Sequence, residues 1–252
     1  MIEKKAGIYA VDKLRKILLF QPDFNFGSKT IGRQMMRQAE ELGLFPEAQF
    51  GSRHGTSAAQ QLLNKVCLFE LSRVQKLPLG YCSTDAKSCY DRIVHSFASL
   101  AMRKWGVPKV VAHTMFGVIA STSNCVQTGF GESSGCYSHP PSEPFQGVGQ
   151  GNGAGPAIWT AVSSPLLAYL DSRGHGVTLQ TPLSREVIQV SSLAFVDDTD
   201  VVVGIPEGDS SLDESIVYTL SQQVADWAGA LRVSEGAIVP EKSFHWILNY
   251  VN

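Results

Sequence analysis

Val187-Ile-Gln-Val-Ser-Ser-Leu-Ala-Phe-Val-Asp197-Asp198-Thr-Asp-Val201-Val-Val203 is the stretch that decides the fold. Apolar and β-branched residues run up to two consecutive aspartates and resume after them, so Val187–Val196 and Val201–Val203 read as a hairpin with Asp197-Asp198 at or beside its turn. Asp tolerates turn backbone well, and an isolated Asp-Asp pair reads first as turn chemistry. A second apolar strand, Leu79–Thr84, ends at Asp85. Strand ends on one sheet edge can converge although far apart in sequence. Three converging carboxylates suit Mg²⁺, which takes oxygen ligands and keeps water and substrate phosphates in its remaining positions. Two such ions clamp the attacking and leaving oxygens of an in-line phosphoryl displacement.

Outward from these strands the hydrophobic period becomes helical. Ile31, Met35, Ala39 and Leu42 share a face of a helix closed by Gly43 and Pro46. Ser57 is a plausible N-cap for a helix to about Gln75, with Leu62, Val66, Phe69 and Arg73 in line. Ile93, Phe97, Leu100 and Ala101 predict a helix to Lys104, broken at Gly106-Val-Pro108, and Val111, Met115, Val118 and Ile119 mark the next. Asn124–Phe130 reads as a strand and 131–146, rich in Gly, Ser and Pro, as a loop. The alternating glycines of Gly147–Gly155 lead into an apolar helix to about Leu170, where Pro165 would kink the helix or need local repair. Leu212–Leu231 is an amphipathic helix and Phe244–Leu248 a last strand. The order predicts an α+β fold, an antiparallel sheet with helices on one face.

Composition bounds the rest. With 252 residues, 44% hydrophobic and 17% charged, the chain is neither disordered nor too short to bury a core. No apolar run reaches the roughly 18 residues of a membrane-spanning helix. Five unclustered cysteines (67, 82, 89, 125, 136) suggest reduced thiols and an intracellular setting. A net charge of −2 gives no global case for nucleic-acid binding, so that case must come from local sites.

Those sites fall in a recognisable order. Asp85-Ala-Lys-Ser-Cys-Tyr90-Asp91, Gly149-Gln150-Gly151 followed by small residues and Pro156, and Phe195-Val196-Asp197-Asp198 lie in the order and at the separation found in reverse transcriptases. Gln49-Phe-Gly51-Ser-Arg53-His-Gly55-Thr-Ser57 resembles the segment before that family's first catalytic motif, and Pro240-Glu-Lys242-Ser243 its later lysine motif. The resemblance is nearest to the enzymes of non-LTR retrotransposons and group II introns.

The resemblance implies a right-hand polymerase palm with partial fingers and no thumb. Residues 1–84 would be partial fingers with the start of the palm, and 85–252 the palm, with 106–146 returning to the fingers. It implies RNA-directed DNA synthesis from dNTPs on a primed RNA or DNA template, with two Mg²⁺ ions for which Mn²⁺ can substitute. Asp85, Asp197 and Asp198 match the metal-binding catalytic carboxylates. Tyr90 matches the ring that excludes a ribose 2′-hydroxyl; a core tyrosine is the alternative. Gln150 and Gly151 match residues touching the incoming nucleotide and template base. Lys242 and Arg15 match triphosphate contacts, with a solvated loop lysine and surface charge as alternatives, and Lys13 and Arg53 are weaker matches. Flanking segments of a polyprotein, an RNA-templated RNA polymerase and a non-catalytic nucleic-acid-binding module remain open. A dinucleotide-binding reading of the glycines fails, because the preceding Pro140–Gln146 is no buried strand. Cys136 and His139 have no partner pair for zinc.

Overall fold

The computed structural model describes residues 2–3, 7, 14–15, 17–140, 142–205 and 212–250. Two short strands, β1 (Ile2–Glu3) and β2 (Leu14–Arg15), pair antiparallel ahead of two helices, α1 (Pro22–Glu41) and α2 (Ala58–Val74). Pro22 opens α1 at a position where its missing N–H costs nothing, and the Ser57 hydroxyl caps α2 by accepting from the Gln60 amide. Next come β3 (Leu79–Asp85), a 3-10 turn (Cys89–Arg92), α3 (His95–Lys104), α4 (Lys109–Ala120), β4 (Ser123–Thr128), β5 (Gly131–Ser138) and α5 (Gly155–Ser172). The chain continues through β6 (Val177–Gln180), β7 (Val187–Val190), β8 (Ser192–Phe195), β9 (Asp198–Gly204), α6 (Leu212–Val233) and β10 (Phe244–Leu248).

Four strands form the central antiparallel sheet in the order β10-β3-β9-β8. With α5 and α6 as its crossings this is the β-α-β-β-α-β plan. Side chains alternate across each strand. Gly80, Cys82 and Thr84 of β3 and Val201 and Val203 of β9 face α5 and α6, where Ile158, Leu167, Ile216, Trp227 and Leu231 close the main core. Each such side chain, fully buried, contributes about 1.5–3 kcal/mol. Leu79 and Tyr81 of β3, Val202 of β9 and Leu193 of β8 face the other way and meet Leu68 of α2 and Val177 and Leu179 of β6. The second face is therefore covered in part by α2 and β6, besides the helices expected on the first.

Several expectations are revised. The buried face of α2 carries Gln61, Leu68 and Ser72, while Leu62 and Val66 of the expected line are exposed, as is Leu100 of α3. The first half of the expected loop 131–146 is strand β5, which pairs with β4. Strand β4 falls on the strand expected at Asn124–Phe130, whereas β5 is exposed throughout, so no alternation of apolar residues marked it. Register sets Cys125 opposite Cys136 and the two form a disulfide, against the expectation of reduced thiols; Cys67, Cys82 and Cys89 are free. The run Val187–Val196 divides at Ser191: β7 pairs with β6 and only β8 joins the sheet. Helix α5 continues through Pro165. No described helix is long and apolar enough to cross a membrane.

Candidate active site

The site is built where β3, β8 and β9 end together. Asp85 lies opposite Asp198 in the β3–β9 register, and Phe195 opposite Asp198 in the β8–β9 register. Val196 and Asp197 are therefore the two residues of a tight hairpin turn, with Asp197 beside the Asp85–Asp198 pair. Burial first, then the charges of Asp197, Asp85 and Asp200, raises the Asp198 carboxyl above its usual range, while Lys65 opposes the shift. That crowding of negative charge is what an all-oxygen divalent cation site needs, and the donor set fits Mg²⁺. As the side chains stand, Asp85 and Asp197 are each turned to a local donor. Lys242 donates to Asp85 Oδ2, and the Cys89 thiol donates to Asp197 Oδ2 across 3.4 Å. Among the described residues no three His, Cys, Asp or Glu side chains form a group ready to hold an ion.

The Asp85 contact, outweighing burial, raises the Lys242 pKa, and the side chain remains largely exposed. Tyr90 lies on the 3-10 turn after β3, and its ring sits against Gly155 at the start of α5. Burial, then the nearby Cys89 and Asp197, pushes its hydroxyl far up. The Tyr90 carbonyl accepts from the Val148 amide at 2.8 Å, so this turn and the glycine segment are tied together. Tyr90, Asp197 and the segment before α5 thus border one region.

Gln150 and Gly151 are placed by the segment that precedes α1. The Leu18 amide donates to the Gln150 carbonyl at 2.7 Å. Gly151 has φ +118°, and a Cβ there would fall on the Leu18 carbonyl oxygen. The missing Cβ lets the Leu18 backbone pass directly against this segment. Arg53 is committed to Glu40, with Nη2 to Oε1 at 2.7 Å, and its guanidinium lies over the Phe45 ring. Arg15 is in β2, its side chain lying outside the described residues, and Lys13 lies outside them altogether.

The family model described as reverse transcriptase (RNA-dependent DNA polymerase) matches residues 2–244. The chain belongs to the reverse transcriptase family. No curated protein sequence matches it significantly. Telomerase from Candida tropicalis, solved with a TWJ fragment of telomeric RNA, superposes with a TM-score of 0.56 at 13% identity, over 89% of this chain and 35% of that one. The Candida albicans telomerase with a TWJ fragment gives 0.55 at 13% identity, over 89% and 35%. Apo telomerase from Candida tropicalis, truncated of its C-terminal domain, gives 0.54 at 11%, over 88% and 40%. This reverse transcriptase chain spans about two-fifths or less of those telomerase chains, and the likeness is one of fold.

Reading the reverse transcriptase motifs alone missed several residues at the site. Asp200, two residues after Asp198, is buried to 1% exposure on the same sheet face and pairs with Lys65 of α2. The Tyr81 hydroxyl is raised by burial and then by its contact with Asp200. The third aspartate of Asp197-Asp198-Thr-Asp200 was the available signal. Gln49 is wholly buried, and its side-chain amide reaches the turn: Oε1 accepts from the Val196 amide at 3.0 Å and Nε2 donates to the Val196 carbonyl at 3.3 Å. Trp159 of α5 donates to the same carbonyl at 2.7 Å. Segment 48–50 runs parallel to β8, with the Phe50 amide donating to the Ala194 carbonyl. At Gly51 a Cβ would fall on the Val196 nitrogen.

Proposed function

We propose that this chain is the fingers–palm part of an RNA-directed DNA polymerase, the template being read while a primer 3′-hydroxyl attacks the α-phosphorus of a dNTP and pyrophosphate leaves. One observation carries the reading: in a chain of this family, Asp85 and Asp198 oppose each other across adjacent strands with Asp197 in the turn beside them. Residues 1–84 are partial fingers with the start of the palm, and 85–252 the palm, with 106–146 returning to the fingers. Asp85, Asp197 and Asp198 would hold the two Mg²⁺ or Mn²⁺ ions, which would supply charge neutralisation at the transferring phosphoryl group and activation of the 3′-oxygen.

The chain's own residues hold the reactants. Lys242 exchanges its Asp85 contact for the triphosphate and offsets charge on the departing pyrophosphate, with Arg15 as a further contact. The Tyr90 ring fills the space of a 2′-hydroxyl, which separates this reading from an RNA-templated RNA polymerase. Gln150-Gly151, fixed to Leu18, forms the wall against the nucleotide and template base. The telomerases of like fold were solved with RNA fragments, which supports an RNA template here. Templates and deoxynucleotides are intracellular, and on this reading the chain works there too. The retroelement branch rests on the motifs alone.

Primer extension on RNA and DNA templates with Mg²⁺ or Mn²⁺, using this chain and a longer one with flanking sequence, tests the reading. Asp85→Asn should lower the rate by at least about 100-fold, as expected for removing a preorganised electrostatic group. Tyr90→Ala should raise ribonucleotide relative to deoxynucleotide incorporation by about tenfold, equal to about 1.4 kcal/mol in kcat/KM. Template binding without extension by either chain would instead support a non-catalytic module.

A further inference from the structure

The turn that carries Asp197 is made from the wrong residue. Val196 has φ +59°. Asp197 is not among the residues of positive φ, so the turn has the pattern of type II′, whose first central position belongs to glycine. A β-branched side chain in that region is a genuine outlier, and such backbone persists only when its surroundings over-determine it.

The surroundings are on view. Gln49 presents one amide to both backbone groups of Val196, as a neighbouring strand would, and its Oε1 also accepts from the Gly51 amide at 2.8 Å. The Gln49 amide is thereby held in one orientation from its own segment, which is itself bonded to β8 at Ala48 and Phe50. Trp159 adds a second donor to the Val196 carbonyl from the opposite element. The absence of a Cβ at Gly51 lets this segment lie flush against the turn.

We infer that Gln49 is a positioning residue for the carboxylate turn: it holds Val196 in a left-handed conformation that valine disfavours, and so fixes where Asp197 meets Asp85 and Asp198. The inference rests on the proposed metal-binding role of those three carboxylates. Gln49 touches no reactant and acts through Val196. The arrangement makes a prediction that simple core packing does not. Glycine adopts a positive φ without strain, so at position 196 it removes most of the need for the clamp.

The experiment is a cycle of Gln49→Leu and Val196→Gly in the full chain, read by Mn²⁺ affinity from electron paramagnetic resonance and by Tm. Gln49→Leu should weaken Mn²⁺ binding by tenfold or more and lower Tm by about 5 °C or more. Val196→Gly alone should keep Mn²⁺ affinity within about twofold, and the double variant should return to within about threefold of the parent. Should Gln49→Leu fold only with glycine at 196, that coupling also supports the clamp. Equal penalties in both backgrounds, or failure to fold in both, would make Gln49 a general core residue and overturn the inference. A parent that binds no Mn²⁺ overturns the metal reading along with it. A parent that binds Mn²⁺ but extends no primer defeats only the polymerase reading.

Discussion

Two hairpins of this molecule are held in opposite ways. The β8–β9 turn, half-buried at Val196 and Asp197, is held by groups distant in sequence: Gln49, Gly51 and Trp159 converge on Val196, and Lys65 meets Asp200, two residues into β9. The β4–β5 hairpin lies exposed along nearly its whole length, and its own Cys125–Cys136 disulfide closes it. The first hairpin has its shape imposed by the rest of the fold, whereas the second carries its constraint within itself. Damage to the first should spread, and damage to the second should stay local.

The largest test of that contrast compares two glycines. Gly51→Ala forces a Cβ onto the Val196 backbone, which has no flexible side-chain end to yield, and should cost about 3 kcal/mol or more in urea unfolding. Gly135→Ala in β5 meets nothing within 4 Å and should change stability by less than about 0.5 kcal/mol. Similar losses at both would break the comparison.

Lys65→Met comes next. It leaves the buried Asp200 carboxylate without its cation, and because Lys65 keeps 22% of its side chain exposed the usual cost is reduced to about 2–3 kcal/mol. Adding Asp200→Asn should recover much of that loss, because the uncompensated charge is then gone. Thermal melts of the single and double variants measure both.

Asp198→Asn should act in the other direction. The folded carboxyl titrates above its unfolded value, so the folded state favours the protonated form and loses stability as pH rises through that window. The asparagine variant should therefore be more stable at pH 7, by about 0.5 kcal/mol after allowance for solvent screening, and show no gain near pH 3. Urea midpoints at the two pH values check the sign. A gain at pH 3 equal to that at pH 7 would assign the effect to something other than charge crowding.

The smallest global effect belongs to the disulfide. Its loop-closure entropy is about 3 kcal/mol, yet the exposed hairpin can open without the core. Reduction should leave Tm within about 2 °C while speeding proteolytic cleavage within 126–135 several-fold. A large fall in Tm would show that the hairpin supports the core.

The same contrast explains what the sequence disclosed. Local signals that do not depend on a buried face are matched by the structure: β3 ends at Asp85, α2 starts behind its Ser57 cap, α6 and β10 appear where their patterns put them, and the two aspartates sit at the turn. Strand β5 has no buried face, so it left no alternation to read. Helix α2 buries Gln61 and Ser72 and exposes Leu62, Leu63 and Val66, which reverses the sign of its pattern. Gln49 stood in a quoted motif without a role, because a side chain that substitutes for a strand's backbone shows itself only when the strand beside it is known. Cysteine counting overlooked that hairpin register can pair two thiols without a framework of others.

The register of β3 has one more consequence. Its odd-numbered residues, Leu79, Tyr81, Ser83 and Asp85, line up with the even-numbered residues of β9, from Gly204 down to Asp198, and every intervening pair looks toward α6. Core and carboxylates are thus assigned by a single parity. A one-residue insertion directly after Leu79 would invert it, sending Asp85 toward the Trp227 side and the small Gly80 and Cys82 positions toward α2 and β6. Mutation could not move the carboxylates along this strand by small steps and keep the core, so the two must be inherited as one unit.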